Sequence, residues 1–275
     1  MRKFGMPVSK KALKTEGQIT SVEQFLETEK GSVRVLTYNM SDERKLPLFI
    51  NIHGGGFVLG DPTTDDPFMA RLAQKADIKI ISIDYSLAPE HPFPTVLEEC
   101  YAVALYAKQH PDEFGIDEQR IAVGGHSAGG NFSAAIQLMD TERQLLDLKC
   151  LILDYPPLDV YKDAGEKPRG TIPKSIARMF DACYCIDIEA RKNPLISPVY
   201  APKEQLQSYP PTLIITASKD SLCNEAEHFR DLLLDAGVTV LHKQYKAPHA
   251  FNLKPGTNAD DSWQLMADFL KQHLG

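Results

Sequence analysis

The sequence predicts an α/β fold: a mostly parallel, doubly wound sheet opened by an antiparallel hairpin, with a small helical lid inserted late in the chain. Three observations carry this. From Pro47 onward, short apolar runs alternate with longer helical patterns, the rhythm of βαβ units. Runs such as Ile78–Ile83 are apolar on nearly every position, as strands are when helices cover both faces of a parallel sheet. Between Tyr155 and Thr212 no such run occurs, and compact domains rarely carry a structureless loop that long. A single domain over 1–275 is therefore expected, with a lid insertion at about 156–210.

The elements follow in order. Val22–Leu26 and Val33–Tyr38 flank the turn-like Glu29-Lys30-Gly31-Ser32 and read as a hairpin. Leu48–Ile52 is a short apolar strand, Phe68–Ala76 a helix, and Ile78–Ile83 a second strand. Val96–Lys108 has apolar residues three and four apart, the helical spacing. Ile121–Val123 leads into a glycine cluster, and Ala128–Met139 continues as a helix. Leu151–Leu153 and Leu213–Thr216 are further strands. Asn224–Ala236 is helical, Val238–Tyr245 a strand and Asp260–His273 a closing helix.

Composition excludes several classes. Of 275 residues, 43% are hydrophobic and 24% charged, and 30 Lys+Arg against 37 Asp+Glu leave a net charge of −7. That is ordinary globular usage, neither disordered nor collagenous. The acidic balance argues against a nucleic-acid partner, whose phosphates would call for Lys and Arg. Met1–Gly17 carries Arg2, Lys3, Lys10, Lys11 and Lys14 with no apolar run after them, so no signal peptide is expected. No stretch approaches the ~18 apolar residues of a membrane span, and no membrane partner is expected. Cys100, Cys150, Cys183, Cys185 and Cys223 are odd in number and lack C-x-x-C spacing. Free thiols in a reducing cytoplasm are expected, with neither structural zinc nor a disulfide framework.

Gly125-His126-Ser127-Ala128-Gly129 fits G-x-S-x-G, with a strand running in and a helix running out. Small residues let the serine occupy a strained turn with its hydroxyl raised at the carboxyl edge of the sheet. His53-Gly54-Gly55-Gly56 follows the strand Leu48–Ile52. Its glycines allow close backbone approach, and its amides could serve as preorganised donors for an oxyanion. A serine hydroxyl also needs a base, itself oriented by an acid. Of the eight histidines, only His249 falls in a loop just past a late strand, in Ala247-Pro248-His249-Ala250-Phe251. Asp220 follows the strand Leu213–Thr216, and the order Ser127, Asp220, His249 suits a nucleophile turn of this kind. Asp154, also at a strand end, and Glu225, inside the next helix, are rival acids.

With these motifs, the chain resembles the hormone-sensitive-lipase family of bacterial carboxylesterases, which have the α/β-hydrolase fold. His53–Gly56 with Phe57, the run from Asp84-Tyr85-Ser86-Leu87-Ala88-Pro89 to Pro94, Gly125–Gly130 and Ser197-Pro198 all match its pattern. The resemblance implies that the amides of Gly55, Gly56 and Ala128 form the oxyanion hole. Three positions depart from the pattern. His126 stands where the family usually has Asp, Ser86 where it has Arg, and Ala250 where it has Gly. The segment before the hairpin is short for the family, which implies a less complete lid.

Three functions are carried forward. One is a serine carboxylesterase on a small-molecule ester with a short acyl group, acetyl to butyryl, requiring no metal or organic cofactor. Another is an amidase, arylformamidase-like or peptidase activity on the same triad. The third is a non-catalytic ligand receptor, which could dispense with a base that this chain retains. Within the insertion, Ile172, Ile176, Met179, Phe180 and Cys183 recur at helical spacing and form one apolar stripe. The stripe either anchors its helix to the sheet domain or roofs a pocket over Ser127, with Met179 and Phe180 touching substrate.

Overall fold

The computed structural model describes residues 19–275. The expectations for Met1–Gly17, no signal peptide and a shortened contribution to a lid, lie outside the described residues. Strands β1 (Val22–Thr28) and β2 (Gly31–Tyr38) form the expected hairpin. They are followed by β3 (Leu46–Ile52), α1 (Asp66–Ala76), β4 (Lys79–Ile83), α2 (Thr95–Gln109) and the one-turn α3 (Pro111–Phe114). Next come β5 (Ile116–His126), α4 (Ala128–Arg143) and β6 (Cys150–Asp154), then the insertion with α5 (Lys174–Tyr184) and α6 (Lys203–Leu206). The chain closes with β7 (Thr212–Ala217), α7 (Cys223–Asp235), β8 (Val240–Tyr245) and α8 (Thr257–Leu274).

The eight strands form one sheet in the order β1-β2-β4-β3-β5-β6-β7-β8. β2 pairs antiparallel with β1 and β4, and every pair from β4–β3 to β7–β8 is parallel. This is the α/β-hydrolase fold. Successive residues of a strand point to opposite faces. Accordingly Leu48, Ile50 and Ile52 of β3 belong to the core on the face covered by α2, α4 and α7, whereas Phe49 belongs to the core on the other face, covered by α1 and α8. Both faces are covered, which is why the central strands read as near-continuous apolar runs.

β8 begins at Val240 rather than Val238. Gly237 takes a left-handed turn (φ 87°) and the Val238 amide bonds back to the Leu233 carbonyl, so Val238 closes α7 instead of extending the strand. The insertion carries no strand, as expected. Asn131 of α4 anchors its base: the side-chain amide donates to the carbonyls of Pro157 (2.7 Å) and Ile196 (2.9 Å). Among the described residues no helix is long and apolar enough to cross a membrane.

The apolar stripe is altered in one respect. Pro173 is extended (ψ 136°) and α5 starts at Lys174, leaving Ile172 outside the helix. What anchors α5 is Tyr184, fully buried and stacked 4.1 Å from Phe57. Ile176 and Met179 are exposed, so the stripe as a whole does not bind α5 to the sheet domain.

Candidate active site

Ser127 sits between the last residue of β5 and the first of α4, at φ 52° and ψ −119°, a conformation that an L-residue keeps only when its surroundings hold it. Its amide donates to the Asp154 carbonyl at 2.8 Å. The glycines around it are required by close approach: a Cβ at Gly125 would lie 2.3 Å, and one at Gly129 1.8 Å, from the Ile52 carbonyl oxygen.

Asp220 and His249 reach this turn because the ends of β7 and β8 are laced together. The Ser218 amide donates to the Tyr245 carbonyl (2.8 Å) and the Lys219 amide to the Ala247 carbonyl (3.0 Å). His249 Nδ1 then lies 2.5 Å from Asp220 Oδ2, and Nε2 lies 3.0 Å from Ser127 Oγ. The second carboxylate oxygen accepts from the Leu222 amide at 3.2 Å, so buried Asp220 is held at both ends. The three residues singled out in the sequence are thus brought together within hydrogen-bond reach.

The two rival acids are elsewhere. Asp154 Oδ2 receives His126 Nδ1 (2.6 Å) and Asn252 Nδ2 (2.7 Å). Glu225 is buried against Lys167 of the insertion, with 2.7 Å between charged atoms. His126, where the family usually has Asp, is buried in this Asp154 pair. Burial pulls its imidazole down, but the Asp154 hydrogen bond and the carboxylates of Asp65 and Asp154 together hold it above its ordinary value.

The glycine loop after β3 lies against the nucleophile turn, since a Cβ at Gly54 would stand 3.4 Å from the Ser127 Cβ. Gly55 (φ 143°) has no room for a side chain, because a Cβ would be 1.8 Å from the Leu59 carbonyl oxygen. Among the described residues, the amides of Gly55, Gly56 and Ala128 have no backbone acceptor, which leaves them available to an anion. Tyr85 supports the loop from behind: it stacks on His53 at 4.1 Å and its hydroxyl donates to the His53 carbonyl at 2.9 Å. Burial pushes the His53 imidazole below its ordinary value. Ser86, in the family's arginine position, instead binds Glu99 through its amide (2.6 Å) and hydroxyl (3.1 Å). Phe180 of α5 lies directly against Gly56, where a Cβ would come within 2.2 Å of the ring.

Three residues at the site were missed in the sequence reading. Tyr155 stands edge-on to His249, with ring centroids 4.9 Å apart. Its hydroxyl donates to Asn252 Oδ1 at 2.7 Å, and Trp263 Nε1 donates to the Asn252 carbonyl at 2.9 Å. The proximity of Asn252 to His249 in the chain was the one available signal.

A strand–turn–helix serine with a histidine and a buried aspartate in series defines an α/β hydrolase of the serine type. The model of the alpha/beta hydrolase fold family matches residues 49–253. Among curated relatives, an arylesterase of Saccharolobus solfataricus is 32% identical over 216 residues, covering 77% of this chain and 70% of that one. The carboxylic ester hydrolase LipN of Mycobacterium tuberculosis is 35% identical over 222 residues, covering 76% of this chain and 58% of its own length. The solved structure of a hyperthermophilic esterase from Pyrobaculum calidifontis superposes with a TM-score of 0.86 at 30% identity, covering 92% of this chain and 85% of that one. The chain belongs to the α/β-hydrolase family, and within it to the hormone-sensitive-lipase group that its motifs resemble.

Proposed function

We propose that this protein hydrolyses short-acyl carboxylic esters through Ser127, His249 and Asp220. It is an enzyme, a carboxylic ester hydrolase. The observation that carries the residue roles is the series Asp220–His249–Ser127, with steps of 2.5 and 3.0 Å, ending on the strained serine.

Nδ1–H of His249 donates to Asp220, which leaves Nε2 free to accept the Ser127 proton as Oγ attacks the ester carbonyl. The carbonyl oxygen becomes an oxyanion, bound by the amides of Gly55, Gly56 and Ala128. Such a donor acts where charge develops, and losing one typically costs ~10²–10³ in rate. As the tetrahedral species collapses, His249 returns the proton to the leaving alcohol. Water, activated by the same imidazole, then hydrolyses the acyl-enzyme. The substrate is a small ester.

The segment at about 156–210 acts as the lid over this site. Phe180 supports the preference for acetyl to butyryl groups. Its ring lies against Gly56, beside an amide proposed to hold the substrate oxygen, where it would limit the space for an acyl chain. The five free cysteines fit a reducing compartment, and we place the enzyme in the cytoplasm on that ground. A panel of p-nitrophenyl esters of rising chain length, run beside matching anilides, tests the reading. Turnover should peak between acetyl and butyryl and be far lower on the anilides. Faster anilide cleavage would favour an amidase instead.

A further inference from the structure

His249 sits in a loop, yet its imidazole must stay within about half an ångström of its place for proton transfer. Its neighbour Ala250 is left-handed (φ 57°), a conformation the loop does not adopt for an L-residue without support. Three residues after His249, Asn252 is fully buried, and its side-chain nitrogen, side-chain oxygen and backbone carbonyl are all engaged. Nδ2 donates to Asp154 Oδ2 (2.7 Å), Oδ1 accepts from the Tyr155 hydroxyl (2.7 Å), and the carbonyl accepts from Trp263 Nε1 (2.9 Å).

Asp154 is the hub of this arrangement. Its carbonyl receives the Ser127 amide, while its carboxylate receives both Asn252 and His126, the residue before the nucleophile. One residue at the end of β6 therefore ties the nucleophile turn to the histidine loop. Tyr155, next in the chain, also sets its ring edge on the His249 imidazole.

We propose that Asn252 is a positioning residue for His249, holding the histidine loop in register with Ser127 through its hydrogen bonds to Asp154 and Tyr155. This rests on the reading of His249 as the base. Asn252 touches neither substrate nor reacting atoms. It acts by restricting where the imidazole can go, and small misplacements of a reacting group can cost up to ~10²-fold in rate.

The test uses the full chain, p-nitrophenyl butyrate kinetics, and titration of active sites with a fluorophosphonate. Asn252→Ala should lower kcat per titrated site by about tenfold or more while KM stays within about twofold. Asn252→Asp sets two carboxylates face to face and should be at least as damaging. Adding Asp154→Asn reverses donor and acceptor, and should recover much of the lost kcat. Should Asn252→Ala fail to fold, Tyr155→Phe decides, since it keeps the ring and removes the hydroxyl whose short bond is to Asn252 (2.7 Å), its other neighbour, His126 Nδ1, being 3.5 Å away. A fall in kcat of about threefold is expected there. An unchanged kcat per titrated site, with only the melting temperature lowered, would overturn the proposal. A wild-type enzyme that the fluorophosphonate does not label on Ser127 would overturn the triad itself, and this inference with it.

Discussion

If Ser127, Asp220 and His249 form the proposed triad, the change at one of them that best preserves shape is the most informative. Asp220→Asn keeps the volume but no longer fixes the imidazole tautomer, and kcat should fall by ~10⁴ as in other triads. Glu225→Gln should leave kcat near wild type, because its carboxylate faces Lys167 and not His249. The reverse ranking in steady-state kinetics would mean that the wrong acid has been chosen. Ala250 offers a second test at this scale. At φ 57° an alanine is strained where glycine is not. Ala250→Gly should therefore raise stability by about 1 kcal/mol after the entropy cost of glycine. For a chain of this size that is a melting temperature a few degrees higher by calorimetry. An unchanged or lower melting temperature would show that the surrounding loop already accommodates the methyl group.

Helix α5 carries Met179 and Phe180, the residues proposed to set acyl-chain length. Met179 is 45% exposed, so its truncation should cost little stability, and an altered substrate profile can be read without a folding defect. Phe180 stands against Gly56, so Phe180→Ala opens space beside the oxyanion amides. Both variants should move the optimum toward longer p-nitrophenyl esters, with each added methylene worth ~1–3 kcal/mol of discrimination. A wild-type profile in both would reduce the exposed stripe to surface. The helix stays in place through Tyr184 and its stack on Phe57, which lies immediately after the Gly56 loop. The stack thereby packs α5 against the residue that follows the glycine loop.

Across the whole molecule, the insertion is held to the sheet domain by a buried ion pair between Lys167 and Glu225 of α7. Burial pushes the Glu225 carboxyl up to about 7, against the opposing pull of Lys167, while Glu225 in turn keeps buried Lys167 above its ordinary value. The sign for stability follows. Below 4.5 both folded and unfolded chains keep the glutamate proton. Between 4.5 and about 7 the unfolded chain has lost it and the folded chain has not, so stability falls as pH rises. Glu225→Gln cannot ionise. Its melting temperature relative to wild type should therefore rise as pH goes from about 5 to 8. A difference that stays flat across this range would mean that Glu225 is already ionised at the acid end.

Much of this protein was legible in the chain itself. Burial on both faces of a parallel sheet writes itself as apolar runs, and a helix as a period near 3.6, so the order of elements could be read locally. The nucleophile turn and the glycine loop were equally legible, because a strained serine and a close backbone approach demand small residues at fixed offsets. What tertiary structure decided is who meets whom across the sheet. Asp220 and His249 are 29 residues apart, and Ser127 and His249 are 122. Only the lacing of the β7 and β8 ends selects Asp220 over Asp154 as the partner of His249. The same holds for Asn252 and Tyr155, ordinary polar residues until the fold stacks one strand end against the histidine loop. Periodicity and backbone strain are properties of a few neighbouring residues, whereas a hydrogen bond between distant ones depends on strand order and register, which only the assembled sheet supplies.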